Sequence, residues 1–390
     1  MHAIKSERIE SLDMMRGFAI LGIFLVNMLS FHSPLLYLDP FSWWTSKVDQ
    51  GTYIFIDIFA QGSFYPLFSL LFGYGFIILQ ERTAPRGEAF RPIALRRFSM
   101  LLVIGVLHAF LVWHGDILIN YAIFGFLLLF FLKLSSKGMM ALGSLLWLIP
   151  NVILCLLFVV IALLAPLDEV SIYDTSMAQQ SVEYYQQGSY GEIFKQRFED
   201  WYAVNNLANV FFMVFSIFPF FLIGGGAAKL KWMERVKELR KSLTVAFFLL
   251  LSGGLLLKVS PYLFDKDFSV EYIQDSLGGP MLAMAYALGI ALLAERSQNR
   301  RWLKAFVPVG RMSMTNYLFQ SVISTLIFYS YGLGLYNKVS VWVGTLLVVM
   351  IFCLQIVISS YWMKTYYYGP VEWIWRSVTY KKKQRWKRVV

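Results

Sequence analysis

Hydrophobic residues in this chain do not alternate with polar ones at the two-residue period of a strand, nor do they keep to one helical face. They come in nearly unbroken runs of about 20 residues closed by charge, the length a helix needs to cross the roughly 30 Å hydrocarbon core of a bilayer. Ten such runs lie near 12–32, 53–80, 98–113, 117–134, 139–165, 207–228, 242–260, 278–294, 312–331 and 341–363. They predict an all-α fold, a polytopic bundle of about ten transmembrane helices in one membrane domain over residues 1–390. Runs of this length exclude a transmembrane barrel, whose strands alternate lipid-facing and lumen-facing positions. The first run follows a basic start and lacks a small-residue cleavage site, so it is expected to stay in the membrane.

Two runs depart from the pattern. Thr52 to Leu79 would measure about 40 Å as straight helix, and Asp57, Gln61, Gly62, Ser63 and Pro66 interrupt its first half. A break around Gly62–Pro66 is expected, with Asp57 facing a wet cavity or a partner. The ninth run carries GRMSMTNYLFQSVIST from Gly310, in which Ser313, Asn316, Gln320 and Ser324 share one helical face. Such a stripe serves either interhelical hydrogen bonding, worth about 1 kcal/mol per contact, or the wall of a polar passage. Isolated Asn27, Asn151 and Gln355 read as interhelical glue. Gly73 and the glycines from Gly224 sit in apolar helix without a P-loop Lys-Ser/Thr, and read as points of close helix approach. The segment 166–206 is the one sizeable polar piece. Its stretch EYYQQGSYGEIFKQRFEDWYAV, from Glu183, reads as a short amphipathic segment that covers an outward-opening site or shields loop ends.

Composition agrees: 58% of the 390 residues are hydrophobic and 15% charged, against about a quarter charged in soluble domains. Charge then sets orientation. If the runs cross in turn, one side holds both termini and 29 of the 35 lysines and arginines, and the other holds 15 of the 24 acids. The positive-inside rule puts both termini in the cytoplasm, as an even number of crossings requires. The net charge of +11 therefore reflects topology and anionic headgroups, not nucleic-acid affinity. The basic tail at 381–390, with KKKQRWKR from Lys381, reads as a cytoplasmic anchor on the lipid surface. Cys155 and Cys353 lie inside runs and outside any Cys/His cluster, so no disulfide or metal site is expected and both read as small buried hydrophobes.

The chemistry concentrates in LLVIGVLHAFLVWHGDILINYAIFG, Leu101 to Gly125, which holds two of the four histidines. His108 lies about a turn and a half inside the membrane, where an imidazole needs a partner and marks a functional interior. His114 stands at the boundary, Gly115 permits a turn, and Asp116 occupies the N-cap place of the next helix. The histidines are about 240° apart on a helix, so they converge only if that helix ends near Val112. Asn120 and Tyr121 would join such a pocket. At the basic edge gather Arg16, Arg96, Arg97, Arg311 and Arg376, with Asp13 and Glu372. Arg16 and Arg311 stand at run ends, where guanidinium groups take phosphates bidentately.

Five separated motifs resemble the YeiB family of bacterial inner-membrane proteins: SLDMMRGFAILGIFLVN (from Ser11), LFSLLFGYGF (from Leu67), LRRFSMLLVIGVLHAFLVWHGDILINYAIFG (from Leu95), GRMSMTNYLFQS (from Gly310) and YGPVEWIWRS (from Tyr368). That family is in turn similar to transmembrane acyltransferases, whose ten-helix core carries an acyl group from cytoplasmic acyl-CoA to an acceptor on the far side. The resemblance implies a multi-pass protein of the bacterial cytoplasmic membrane, acyl-CoA as donor substrate, an extracytoplasmic acceptor and no permanently bound cofactor. Many such relatives carry an Arg followed, after ten residues, by a catalytic His. Here that interval from Arg16 reaches Asn27, which is no base, and His32 is turned about 140° from it. The base then falls to His108 or His114, oriented by Asp116. Asn316 or Gln320 would face the oxyanion, with Ser313, Asn120, Tyr121 and Asp57 as further acceptor contacts and Arg16 and Arg311 on the CoA phosphates. These groups would meet in a wet chamber opening toward the extracytoplasmic face. Two other readings use the same residues: a transporter or channel lined by the polar stripe, with His108 and Asp57 in its path, or a non-catalytic scaffold or receptor whose acidic outer loop binds a partner.

Overall fold

A computed structural model describes residues 9–83, 87, 89–164, 173–264, 268–296 and 301–388. Every predicted run is helical. The chain forms α1 (Glu10–His32), α2 (Lys47–Phe59), α3 (Phe64–Thr83), α4 (Phe90–Leu111), α5 (Leu118–Leu128) and α6 (Ser136–Leu164). A polar hairpin follows, α7 (Thr175–Gln187) and α8 (Tyr190–Asn205), and then α9 (Leu207–Lys229), α10 (Val236–Val259) and α11 (Gly279–Arg296). The chain closes with α12 (Phe306–Arg311), α13 (Ser313–Phe328), α14 (Val341–Thr365) and α15 (Pro370–Thr379). Among the described residues the sole extended pairing is an isolated bridge between Tyr366 and Lys387.

Among the described residues, eight helical stretches are long and apolar enough to cross a membrane, counting α2 and α3 together. The fourth and ninth runs are not. The fourth was expected over 117–134, but α5 has 11 residues and the chain turns at 129–132; at 1.5 Å per residue it spans about 16 Å. α13, with 16 residues, spans about 24 Å by the same rule. Each buries one face against neighbours, Leu118, Asn120, Tyr121 and Phe124 of α5 and Asn316, Tyr317, Gln320 and Ser324 of α13, and leaves apolar residues such as Ile123 and Val322 exposed on the other. α1 runs through the middle and packs against α3, α11, α12, α13 and α14.

The break in the second run comes at 60–63, slightly ahead of expectation, with Gly62 at φ 70°. Pro66 instead lies in the first turn of α3, where its missing N–H leaves no helix bond unmade. The eighth run begins earlier than its hydrophobicity indicates: a short helix, Phe268–Ile273, and a π turn, Gln274–Gly278, lead into α11. The acidic part of the outer segment that includes Asp168 and Glu169 lies outside the described residues. The rest is the α7–α8 hairpin, longer than the amphipathic segment read from Glu183. Asp174 accepts from the N–H groups of Ser176 and Met177, and Ser189 and Glu192 form a reciprocal capping box, so each helix start has its exposed donors met. Cys155 is buried as expected, whereas Cys353 faces outward on α14.

Close helix approach explains the glycines of α3 and α9. A Cβ on Gly73 would lie 2.1 Å from the Phe221 carbonyl oxygen, and one on Gly224 would lie 2.1 Å from that of Leu70. In lipid, where helices gain little from hiding apolar surface, such backbone contact supplies much of the attraction. Gly224→Val is therefore expected to separate α3 from α9 and destabilise the bundle by at least about 1–3 kcal/mol. A detergent-solubilised variant melting at the wild-type temperature would show that the crossing tolerates a side chain.

Candidate functional site

The hairpin between α4 and α5 is built around one carboxylate. α4 ends at Leu111, with the N–H groups of Val112 and Trp113 both donating to the His108 carbonyl at 3.0 and 2.9 Å. The chain then turns through Gly115. Asp116 Oδ2 accepts from the Ile119 N–H at 2.9 Å, meeting a donor in the first turn of α5. Its Oδ1 stands 2.7 Å from His108 Nδ1. The capping role and the partnering role expected of Asp116 are thus both filled, one by each oxygen, although the N-cap residue proper is Ile117. An ionised carboxylate only accepts, so Nδ1 donates to it, and the lone pair of a neutral imidazole in this place would sit on Nε2. Nε2 is buried with no hydrogen-bond partner. The Tyr317 ring packs beside it, 5.2 Å between centroids, and the Tyr317 hydroxyl donates to the Gly115 carbonyl at 3.3 Å.

His114 does not join this pair. Its Nε2 lies 3.3 Å from Ser30 Oγ of α1, and its Nδ1 lies 3.4 Å from Asp200 Oδ2 and 3.5 Å from the Tyr185 hydroxyl. Asp200 also accepts from Tyr37, Tyr185 and Gln196 at 2.6–2.8 Å. Burial pushes the His114 pKa below its ordinary value, opposed by the Asp200 charge and assisted by that of Arg197. The α7–α8 hairpin is pinned in the same place: the buried Arg197 donates to the Phe110 carbonyl at 2.8 Å and the Tyr190 hydroxyl to that of Leu111 at 3.0 Å. These are orphan carbonyls at the C-terminus of α4, where positive charge is favoured. The Ser330 N–H donates to the Tyr185 carbonyl at 2.8 Å, tying the hairpin to the end of α13 as well. The outer segment therefore covers the ends of α4 and α13, on the side where a chamber opening outward was expected.

The amides of the ninth run hold helices together. Asn316 Nδ2 donates to Ser359 Oγ at 3.1 Å and to the Val309 carbonyl at 3.3 Å, Gln320 Nε2 donates to Gln355 Oε1 at 2.8 Å, and Gln355 Nε2 donates to the Asn316 carbonyl at 2.9 Å. They join α13 to α14 and do not turn toward His108. Asn120 Nδ2 donates to Asn205 Oδ1 at 3.1 Å, fixing the end of α8. His32 is buried against the rings of Trp44 and Phe328. Asp57 lies elsewhere, held by the Tyr262 hydroxyl at 2.6 Å and Gln274 Nε2 at 2.5 Å on a cavity of about 190 Å³ that Glu271 and Asp275 also line. There Lys258, fully buried, reaches Asp275 at 2.8 Å. A lysine inside an apolar run signals such a partner, and that signal went unused in the sequence reading.

The main cavity, about 850 Å³, has its mouth at the basic end. Arg16 and Arg311 are there as expected, and so are Arg82, Arg97, Arg376, Lys382, Lys383 and Arg385, with Asp13 and Glu372 as the lining acids. Arg16 bonds Asp13 at 3.0 Å. Glu372 accepts from the Met314 and Thr315 N–H groups at 2.8 and 3.0 Å, capping α13. Arg96 turns away to the Thr379 carbonyl. Deeper walls are apolar, among them Ile20, Ile23, Phe72 and Leu101, with Ser313 as a polar exception, and the cavity reaches Tyr121 and Tyr317. Tyr121 is fixed by Ser69 and by the Tyr65 carbonyl, both at 2.9 Å. Tyr317 thus has the cavity on one side and His108 on the other.

A family profile described as "Protein of unknown function (DUF418)" matches residues 227–382. The chain is 35% identical over 396 residues to "Uncharacterized protein YxaH" of Bacillus subtilis (strain 168), covering 97% of this chain and 95% of that protein. It is 28% identical over 386 residues to "Uncharacterized protein YeiB" of Escherichia coli (strain K12), covering 96% of each.

The His114 contacts make the cover pH-sensitive. A histidine in an unfolded chain titrates at about pH 6.5; with the folded value lower, the unfolded state binds the proton first. The stability of this packing is then fully present above about pH 6.5 and declines as pH falls through that value. Hydrogen exchange in α7 and α8, corrected for the intrinsic rate, is expected to quicken as pH drops below about 6.5, and His114→Gln to flatten that response. An unchanged response in the variant would assign it to another group.

Proposed function

The chain belongs to the YeiB-like family, and from that footing and the geometry of its cavity we propose that it is a membrane-embedded acyltransferase using cytoplasmic acyl-CoA. One observation carries the proposal: a cavity entered between cationic groups and walled by apolar ones comes within a single ring, Tyr317, of an imidazole whose basic nitrogen is buried and unbonded. Its volume is in the ordinary range for a small-molecule site. Arg97 and His108 are eleven residues apart on α4, or about 16 Å along the helix, so a donor held by its phosphates at the mouth extends its reactive end toward the imidazole.

His108 Nε2 would take the proton of an acceptor hydroxyl or amine as that group attacks the thioester carbonyl. The carbon–sulfur bond then breaks, and the proton passes from Nε2 to the leaving sulfur. Asp116 fixes the tautomer and stabilises the imidazolium formed in between, the division of labour of a carboxylate–histidine pair. Asn316 and Gln320 are engaged with α14; the Tyr317 hydroxyl, placed between cavity and base, would serve as donor by leaving its 3.3 Å bond to the Gly115 carbonyl. The acceptor would approach from the acidic side, beneath the α7–α8 cover.

Thiol release from acetyl-CoA and longer acyl-CoAs, in detergent and with amine or hydroxyl acceptors, tests this reading. His108→Gln is expected to lower kcat by about 10²–10⁴-fold with little change in KM for the donor. Asp116→Asn keeps an oxygen for the Ile119 N–H and is expected to act in the same direction. Saturating acyl-CoA that neither raises the melting temperature nor is cleaved in a His108-dependent way would reject the proposal.

A further inference from the structure

We propose that the C-terminal segment 381–388 is part of a binding site for a multiply phosphorylated headgroup at the cavity mouth, with Lys382, Lys383 and Arg385 as its ligands. The proposal rests on the reading of this cavity as a substrate chamber and adds what is held at its entrance. It replaces the expectation that the tail lies on the lipid surface.

The segment is tied down at several points. Lys381 takes left-handed backbone at φ 49°, a conformation unusual outside glycine, asparagine and aspartate, and turns the chain back on itself. The Arg388 N–H donates to the Thr365 carbonyl at 2.8 Å, the Tyr367 N–H to that of Trp386 at 3.0 Å, and Trp373 Nε1 to that of Gln384 at 2.8 Å. The Trp386 ring anchors the segment against Trp373, Tyr366 and Trp362, with centroids 4.3, 5.6 and 6.2 Å away. Packing the half-buried tryptophan there leaves the neighbouring cations on the mouth, where Lys382, Lys383 and Arg385 are exposed and line the opening.

The charge count identifies the class of ligand. Eight cationic side chains and two carboxylates line the cavity, and both carboxylates already serve Arg16 or the start of α13. Arg97 and Arg376 lie over the Trp375 and Tyr368 rings, at 3.6 and 4.7 Å from the centroids, an arrangement that keeps the planar N–H forks at the guanidinium edges for bidentate contact. A single phosphate monoester carries about −1.5 to −2, too little to balance this excess. A pyrophosphate or a bisphosphorylated group offsets about twice as much of it, and like charges held at one opening attract such an anion from solution. A soluble nucleotide-type phosphate and a diphosphate lipid headgroup share that chemistry.

The test measures binding of inorganic pyrophosphate and of adenosine 3′,5′-bisphosphate to the full-length protein by calorimetry, in neutral detergent and again in nanodiscs. The nanodiscs are of phosphatidylcholine alone or with added diphosphate-headgroup lipid. The triple variant Lys382→Gln/Lys383→Gln/Arg385→Gln is expected to weaken binding at least tenfold. The same number of neutral changes at Lys237, Arg240 and Lys241, exposed cations of α10 outside the cavity lining, is expected to leave it unaltered. Trp386→Ala, with every charge in place, is expected to weaken binding too. Competition by the diphosphate lipid identifies the membrane as the source, and its absence the aqueous phase; either supports the site. Equal affinity in the triple variant and wild type, equal loss in the two triple variants, or no binding of either probe overturns it. None of these readouts needs acyl transfer: cleavage retained in the tail variants sinks the site alone, and binding without cleavage sinks the catalytic reading alone.

Discussion

Within a bilayer a polar group has no water to fall back on, so each must find its partner inside the protein. Asp116 meets that demand twice with one side chain. One oxygen takes a backbone donor at the start of α5 and the other takes His108. The rest of the site follows from this sharing. Because the carboxylate is fixed by the helix start, the imidazole is fixed by the carboxylate, and the remaining nitrogen is left facing Tyr317 with its lone pair unused. Since Asp116 already stands at a helix start, the orienting group for the histidine needs no further charged residue in the membrane.

The two ends of the bundle are finished differently. On the basic side, cations from five helices and the returning tail surround an opening. On the acidic side, the α7–α8 hairpin covers the ends of α4 and α13 through Arg197, Tyr190 and the Asp200 cluster. Glu372 does at the basic end what Asp116 does at the acidic one, meeting N–H groups in the first turn of a short helix, but from a different helix where Asp116 stands just ahead of its own. Both short helices, α5 and α13, thus begin at an acidic side chain and both border the main cavity.

Much of the fold was legible because a membrane leaves few choices. The apolar runs, the break near Gly62, the close approach at Gly73 and Gly224, and the clustering of Arg16, Arg97, Arg311 and Arg376 all follow from chain length, composition and alternating topology. What was hidden depends on which neighbour a helix meets. The stripe at Asn316 and Gln320 announces a polar face, but only packing shows that Gln355 and Ser359 lie opposite. The turn after Leu128 is as apolar as the helix before it, so hydropathy overstates α5. His114 meets Asp200 through a loop whose path the local pattern does not give. The tail's cations could be counted from the sequence, whereas its fold depends on Trp386 finding an aromatic niche.

The depth of the main cavity also bears on how a membrane potential is distributed across the protein. Voltage falls over the insulating layer between two conducting phases, and an opening that extends inward from the basic side to Tyr121 and Tyr317 shortens that layer from one direction. With water in that opening, the drop would shift toward the α4–α5 hairpin and its cover. An elementary charge crossing the whole drop exchanges about 2.3 kcal/mol per 100 mV, and a proton moved at His108 would feel a disproportionate share of it.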